Sequence, residues 1–238
     1  MAPADDKRAV VLFSGGLDST TVLAIALDSG YSVYALSVDY GQRNVGELRA
    51  ATAIGSRAGL KEHLRVDLNS RLFARSSLVD AKSVVPHRDV EPAVWEGLPS
   101  TYVPARNTVL LSLALAWSDN LGGADIFIGI SGGDRERSPD CTPVFLDAFR
   151  GVAALGTRFG APEYRRISIC APLIDLSKSE VVALGLGLGV DYALTRSCYE
   201  LRDDQACGTC DACLVRRLAF ASHGLVDPAT ERAVGVHD

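Results

Sequence analysis

The chain has 238 residues, 47% hydrophobic and 22% charged, with a net charge of −5; it suits one large domain, or one domain with a small appendage, that folds without staples. The acidic balance speaks against a broad nucleic-acid footprint. No stretch nears the about eighteen uninterrupted apolar residues of a membrane helix, and the opening "MAPADDKRAVVLF" lacks a signal-peptide core, so a cytoplasmic protein with no membrane partner is expected.

Arg8–Phe13, "RAVVLF", is a near-continuous apolar run of the kind found in buried parallel strands. The turn "SGGLDST" (Ser14–Thr20) leads into a helix from Asp18 to Asp28, with Leu23, Ala26 and Leu27 on one face and Gly30 as its C-cap. Tyr31–Val38 reads as a second strand, 45–60 as a second helix and "HLRVDL" (63–68) as a third strand. This rhythm predicts a doubly wound α/β fold with a mostly parallel sheet. Such sheets bind ligands beyond the carboxyl ends of their strands, where "SGGLDST" and "DYGQR" (39–43) both fall.

From Arg71 to Ala105 the pattern lapses into a proline-bearing stretch, which at that length signals a functional or disordered loop. A helix over 108–122, a strand over 124–130, an amphipathic helix over 143–155 and a strand over 165–173 follow. The helix in "SKSEVVALGL" (177–186) carries a capping box, Ser177 with Glu180. A second "SGG" at 131–133 runs into "DRERSPDC", whose charges and proline predict a loop at the rim. It is expected to contact a substrate; the other reading is an ordinary surface turn. After about Asp191 the periodicity ends, which divides the chain into a main domain, 1–190, and a C-terminal segment, 191–238, packed on it.

Six cysteines in a reducing compartment point to metal binding, catalysis or burial. Cys198, Cys207, Cys210 and Cys213 stand at C-x8-C-x2-C-x2-C. Four thiolates close a tetrahedral site with no open position, so a structural Zn2+ is expected there. An iron–sulfur cluster uses the same ligands and is the competing reading. Cys141 and Cys170 stand apart.

A small-residue loop opening a helix presents backbone N–H groups to an anion, and the helix dipole adds ~0.3–1 kcal/mol. Ser14, Gly15 and Gly16 permit that close approach; capping of the helix by Asp18 and Ser19 is the alternative. The absence of Gly-Lys-Ser/Thr excludes a kinase-type phosphate loop. In its setting "SGGLDST" resembles the S-G-G-x-D-S motif of PP-loop ATP pyrophosphatases. That resemblance implies an ATP site built from Phe13, Ser14, Gly15, Gly16, Leu17, Asp18, Ser19 and Thr20, joined by Asp39 and Arg43. Asp18 would position Mg2+.

The ordered set of "SGGLDST", "DYGQR", "VPARN" (103–107), "SPDC" (138–141), "APLIDLSKSE" (171–180) and the cysteine tail resembles the 7-cyano-7-deazaguanine synthase family, over Lys7 to Leu218. The resemblance implies an adenine nucleotide α-hydrolase-like fold and a carbon–nitrogen ligase of queuosine biosynthesis, expected as a homodimer. Its partners would be ATP, ammonia and the deazapurine acid 7-carboxy-7-deazaguanine, converted through an amide to the nitrile. Lys178 matches the family's lysine and would face the α-phosphate, with Arg106 as a second cation and Arg43 a third; a solvated helix residue and surface ion pairs are the alternatives. Asp134, Arg135, Arg137 and Asp140 are the expected substrate contacts.

One departure stands out. Where the family reads D-Y/F-S-G-Y-P-D-C-R, this chain reads "DRERSPDCT", Asp134 to Thr142. Either Arg135 or Arg137 supplies the lost cation, or the chain is a diverged paralogue acting on another carboxylate. A tRNA sulfurtransferase with the same loop and a non-enzymatic ATP-sensing module are the readings from other classes.

Overall fold

The computed structural model describes residues 7–88, 97–135, 137–201 and 205–231. Its sheet has five parallel strands: β1 (Arg8–Leu12), β2 (Ser32–Asp39), β3 (Glu62–Asp67), β4 (Asp125–Phe127) and β5 (Ile169–Cys170), in the order β3-β2-β1-β4-β5. β1 lies at the centre, with Val10 opposite both Tyr34 and Ile126. A central strand is covered on both faces, which is why "RAVVLF" is apolar without alternation. Ala9, Val11 and Phe13 pack against α1 (Leu17–Asp28), α2 (Val45–Gly55) and α5 (Lys178–Gly187). Val10 and Leu12 pack against α3 (Arg106–Asn120) and α4 (Pro143–Gly156) on the other side.

The doubly wound parallel sheet expected from the sequence is therefore present, but its far strands are shorter. β5 stops at Cys170, two residues before Pro172, which has no N–H for a ladder. Past β4, Gly129 runs under the start of α1, where an added Cβ would sit 3.1 Å from the Ser19 nitrogen. α5 has the predicted capping box: Ser177 and Glu180 each accept from the other's backbone N–H. α6 (Asp211–Ala221) was not foreseen, because its first turn coincides with the cysteine motif. It buries Ala219 and Phe220 in the sheet's own core, with Phe220 edge-on to Tyr192. A short α7 (Pro228–Glu231) follows. No helix among the described residues is long and apolar enough to cross a membrane.

Of the stretch 71–105, residues 89–96 lie outside the described set. The rest is tethered at several points: Phe73 and Val103 pack on Tyr40, and Ser77 N–H donates to Ser100 C=O at 2.9 Å. Strand order reverses between β1 and β4, so a crevice opens at their carboxyl ends, the ligand position of doubly wound sheets.

Candidate active site

A cleft of about 290 Å3 occupies that crevice. Its floor is the turn after β1. Gly15 adopts φ 80°, and a side chain there would collide with the backbone of Glu47 and Ala51 in α2, so only glycine fits. The Thr20 hydroxyl donates to Gly16 C=O at 2.8 Å and the Ser14 hydroxyl accepts from Gly16 N–H at 3.3 Å. Phe13, Ser14, Gly16, Leu17, Asp18 and Ser19 line the cleft, while Gly15 and Thr20 hold the turn from behind. Neither Asp18 nor Ser19 caps α1; its N-cap is Gly16, without a side-chain bond.

Asp18 turns instead to Lys178, at the start of α5. Lys178 Nζ lies 2.5 Å from Asp18 Oδ2 and 2.9 Å from Ser131 Oγ in the second S-G-G turn. Ser131 in turn donates from N–H and hydroxyl to Asp134 Oδ2, at 2.9 and 2.8 Å. Burial opposes the charge on Lys178, yet Asp18 and Asp134 hold its pKa above the ordinary lysine value. Burial likewise opposes the charge on Asp134, but Lys178 and the Ser131 donors keep its pKa below the usual carboxylate range. Burial pushes Asp18 upward against the pull of Lys178, and its Oδ1 is buried with no partner among the described residues. A buried carboxylate oxygen left unsatisfied is costly and suits a cation that the protein does not itself supply.

Arg106 opens α3 after Ala105, the single described non-glycine residue with positive φ (50°). Left-handed backbone at alanine costs roughly 1 kcal/mol. That strain sits at the residue that sets the path into Arg106 on the cleft wall. Burial disfavours the guanidinium's charge; Tyr40, Cys141 and Asp140 favour it.

Sequence reasoning missed Glu47. It sits in the first turn of α2 and lines the cleft, with Oε1 3.9 Å from where a Cβ on Gly16 would lie. A glutamate in that position reads as a helix-start residue, and nothing in its spacing marks it for a cleft. Burial pushes its pKa to about 8, against the opposing pull of Arg106 and Asn44. The folded pKa exceeds the unfolded value of 4.5, so between these limits the folded protein holds a proton that the unfolded chain has lost. Stability from this group is therefore full below pH 4.5 and is lost as pH rises to about 8. Glu47→Gln should flatten that slope and raise stability at about pH 9 by on the order of 3 kcal/mol. Urea unfolding at about pH 5 and about pH 9 measures this; a variant with the parent's slope would refute it.

The remaining rim residues divide. Asp134 and Arg137 line the cleft. Arg135 points away, to Asp175 and Ile174 C=O. Asp140 is buried behind the wall, where it accepts from Asn107 N–H at 2.8 Å and from the Ser138 hydroxyl. Asp39 bonds Arg65 at 2.7 Å and Gly41 N–H at 2.9 Å. Arg43 joins Ser83 C=O to Glu200 and so ties the 71–105 stretch to the cysteine tail. Asp39, Arg43, Arg135 and Asp140 thus lie off the cleft wall. α6 adds Arg216, and the stretch before it adds Ser197 and Tyr199, to that wall.

In the tail the four sulfurs of Cys198, Cys207, Cys210 and Cys213 all lie within 4.8 Å of one another, with Cys207 and Cys213 at 3.9 Å. Tetrahedral thiolates at ~2.3 Å from a metal stand roughly 3.8 Å apart, so the set fits one ion. Backbone N–H groups of Glu200 and Cys207 donate to Cys198 Sγ, that of Cys210 to Cys207 Sγ and that of Tyr199 to Cys210 Sγ, at 3.2–3.4 Å. Such outer-shell donors orient metal-bound sulfurs.

The fold and the turn at its switch point define a doubly wound α/β domain that carries a four-cysteine cluster. A solved NMN synthetase from Francisella tularensis shares that fold, with TM-score 0.50 at 16% identity, over 93% of this chain and 79% of its own. The chain belongs to the QueC family: residues 8–224 match the family model described as queuosine biosynthesis protein QueC. Among its relatives, the 7-cyano-7-deazaguanine synthase of Dechloromonas aromatica is 49% identical over 228 residues, covering 95% of this chain and 99% of its own length. That of Azoarcus sp. is 50% identical over 230 residues, covering 96% and 99%.

Proposed function

We propose that the chain is a 7-cyano-7-deazaguanine synthase, an ATP-dependent ligase acting on 7-carboxy-7-deazaguanine with ammonia. The observation that carries this reading is the seat of Lys178, which bridges Asp18 of the first S-G-G turn and Ser131 of the second at the switch point. A carboxylate oxygen attacks the α-phosphorus of ATP and pyrophosphate leaves. Ammonia adds to the carbonyl carbon, loses a proton and expels AMP, leaving the amide. The amide oxygen attacks the α-phosphorus of a second ATP and a second pyrophosphate leaves; loss of the two N–H protons and departure of AMP by C–O cleavage then yield the nitrile.

Each phosphoryl step develops charge that the protein must already be arranged to meet. The turn from Ser14 to Ser19 presents small residues and backbone to the pyrophosphate, and Lys178 supplies the cation for the α-phosphate. Asp18, whose Oδ1 has no partner among the described residues, would hold magnesium, which would supply positive charge against the β- and γ-phosphates. Arg106 and Arg137 are the forked cations on the wall for the acid and phosphate oxygens. Arg137 takes the place of the arginine lost at Thr142. The four tail cysteines would hold a structural zinc.

The sulfurtransferase reading is disfavoured by Cys141. Among the described residues it is the one cysteine on the cleft wall, and burial pushes its thiol up to about 12, so it is not the thiolate that sulfur transfer needs. The test is mass spectrometry of products from ATP, ammonium and 7-carboxy-7-deazaguanine. Nitrile, AMP and pyrophosphate are expected; no product from this acid would overturn the reading. In the same assay Arg137→Ala should raise KM for the acid about tenfold or more, the cost of ~1–3 kcal/mol for one unmet polar group. ATP affinity should be unchanged; an equal loss for both substrates would remove Arg137 from the acid site.

A further inference from the structure

Arg216 projects from α6 and is 5% exposed, buried with its partner Asp227, also 5% exposed. Its guanidinium is almost fully engaged. Nε donates to Asp227 at 2.7 Å, Nη1 to Thr195 Oγ1 at 2.6 Å and to Ser197 Oγ at 3.4 Å, and Nη2 to Tyr192 C=O at 2.8 Å. Desolvating both ions of such a pair is costly, and the geometry it fixes is correspondingly stiff.

What it fixes is the strap Thr195–Cys198, which runs against the first S-G-G turn. Arg196 N–H donates to Gly15 C=O at 3.0 Å, and Ser197 Oγ accepts from Leu17 N–H at 3.4 Å. Gly16 lies so close that a Cβ there would be 3.3 Å from Arg196 C=O. One residue further, Cys198 C=O accepts from Asn44 Nδ2 at 2.5 Å, at the N-cap of α2, the helix on which Gly15 packs. The strap therefore grips the turn at Gly15 and Leu17 and is itself pinned to α2 and α6.

We propose that Arg216 is a positioning residue for nucleotide binding: by clamping Thr195 and Ser197 it holds the strap that sets the shape of the Ser14–Leu17 turn. This rests on reading that turn as the phosphate seat. The physical reason is tolerance. Backbone N–H groups bind phosphate well only when they already converge, and a strap displaced by a fraction of an ångström lets them diverge. Asp227 is the informative partner, because it orients Arg216 without lining the cleft.

The test compares Asp227→Asn, Arg216→Lys and Ser197→Ala in the full-length, metal-loaded protein. The readouts are zinc per chain, circular dichroism, Kd for ATP and hydrogen exchange over residues 14–20. Asp227→Asn and Arg216→Lys should keep their zinc and their fold, weaken ATP binding about tenfold or more and speed exchange in the turn. Ser197→Ala should show the same pattern at a few-fold, so the proposal survives a failure of Arg216→Lys to fold. ATP affinity and exchange unchanged in a folded Asp227→Asn would overturn it. So would a loss confined to Arg216→Lys, which would make Arg216 a direct ATP contact. Absence of ATP binding in the parent protein would instead refute the phosphate seat itself.

Discussion

Asp18→Asn should lower the rate of pyrophosphate release by at least about 10³-fold, equivalent to ~4 kcal/mol of transition-state stabilisation. Two consequences combine. Its Oδ2 is the contact, at 2.5 Å, that holds Lys178 toward the turn, and an amide oxygen in its place carries no charge to keep the ammonium there. Its Oδ1 is the orphaned oxygen assigned to magnesium, and an amide is a poor ligand for a hard dication. The substitution keeps the volume, and Asp134 still faces Lys178, so the fold should survive. Circular dichroism and thermal unfolding check that survival; pyrophosphate release checks the chemistry. Near-normal turnover in a folded variant would refute the assignment. Lys178→Met is the companion, and because the two act as one unit, the double variant should cost little more than either single one.

Where the site was legible, it was legible because backbone requirements show in residue type. "RAVVLF" followed by "SGG" marks a strand covered on both faces that ends in a turn only small residues can make, and Gly15 bears this out against α2. The Ser177–Glu180 box placed Lys178 at a helix start on the same rim. What pattern cannot give is the direction of a side chain once the rim is reached. Asp39 and Arg43 follow β2 onto the ligand-binding edge, yet one turns to β3 and the other to Glu200, because ion partners there outcompete the cleft. Arg135 and Arg137 are two residues apart in one loop and point to different places, the first to Asp175 and the second to the cleft. Glu47 and Arg216 were invisible for the opposite reason. Both lie in helices where a charged residue reads as solvent-facing, and only the packing of α2 and α6 against the turn brings them inside.

Removing the metal from the cysteine cluster should produce the largest loss of stability in the protein. Cys198, Cys210 and Cys213 are buried, but among the described residues the only apolar side chain buried with them is Val85, with Tyr199, Leu201, Ala206 and Ala212 partly covered. Burying a single valine contributes roughly 1.5–3 kcal/mol, far less than is needed to order a loop of this kind. Zinc bound to the four thiolates would supply that order instead, at about 10–16 kcal/mol in small fingers. Cys210 is the sulfur whose loss should matter most: it is fully buried, stands at the N-cap position of α6 and forms a backbone bridge to His87. Cys210→Ser should therefore bind far less than one zinc per chain, fray the start of α6 and lower Tm by about 10 °C or more, taking ~2–4 °C per kcal/mol for a domain of this size. ATP affinity should fall with it, because Cys198 ends the strap that grips the Ser14–Leu17 turn, the proposed phosphate seat. Elemental analysis and calorimetry decide the matter. Iron with cluster absorbance in the parent protein would replace zinc with an iron–sulfur centre, and an unchanged Tm in the metal-free variant would show that the tail stands on its own small core.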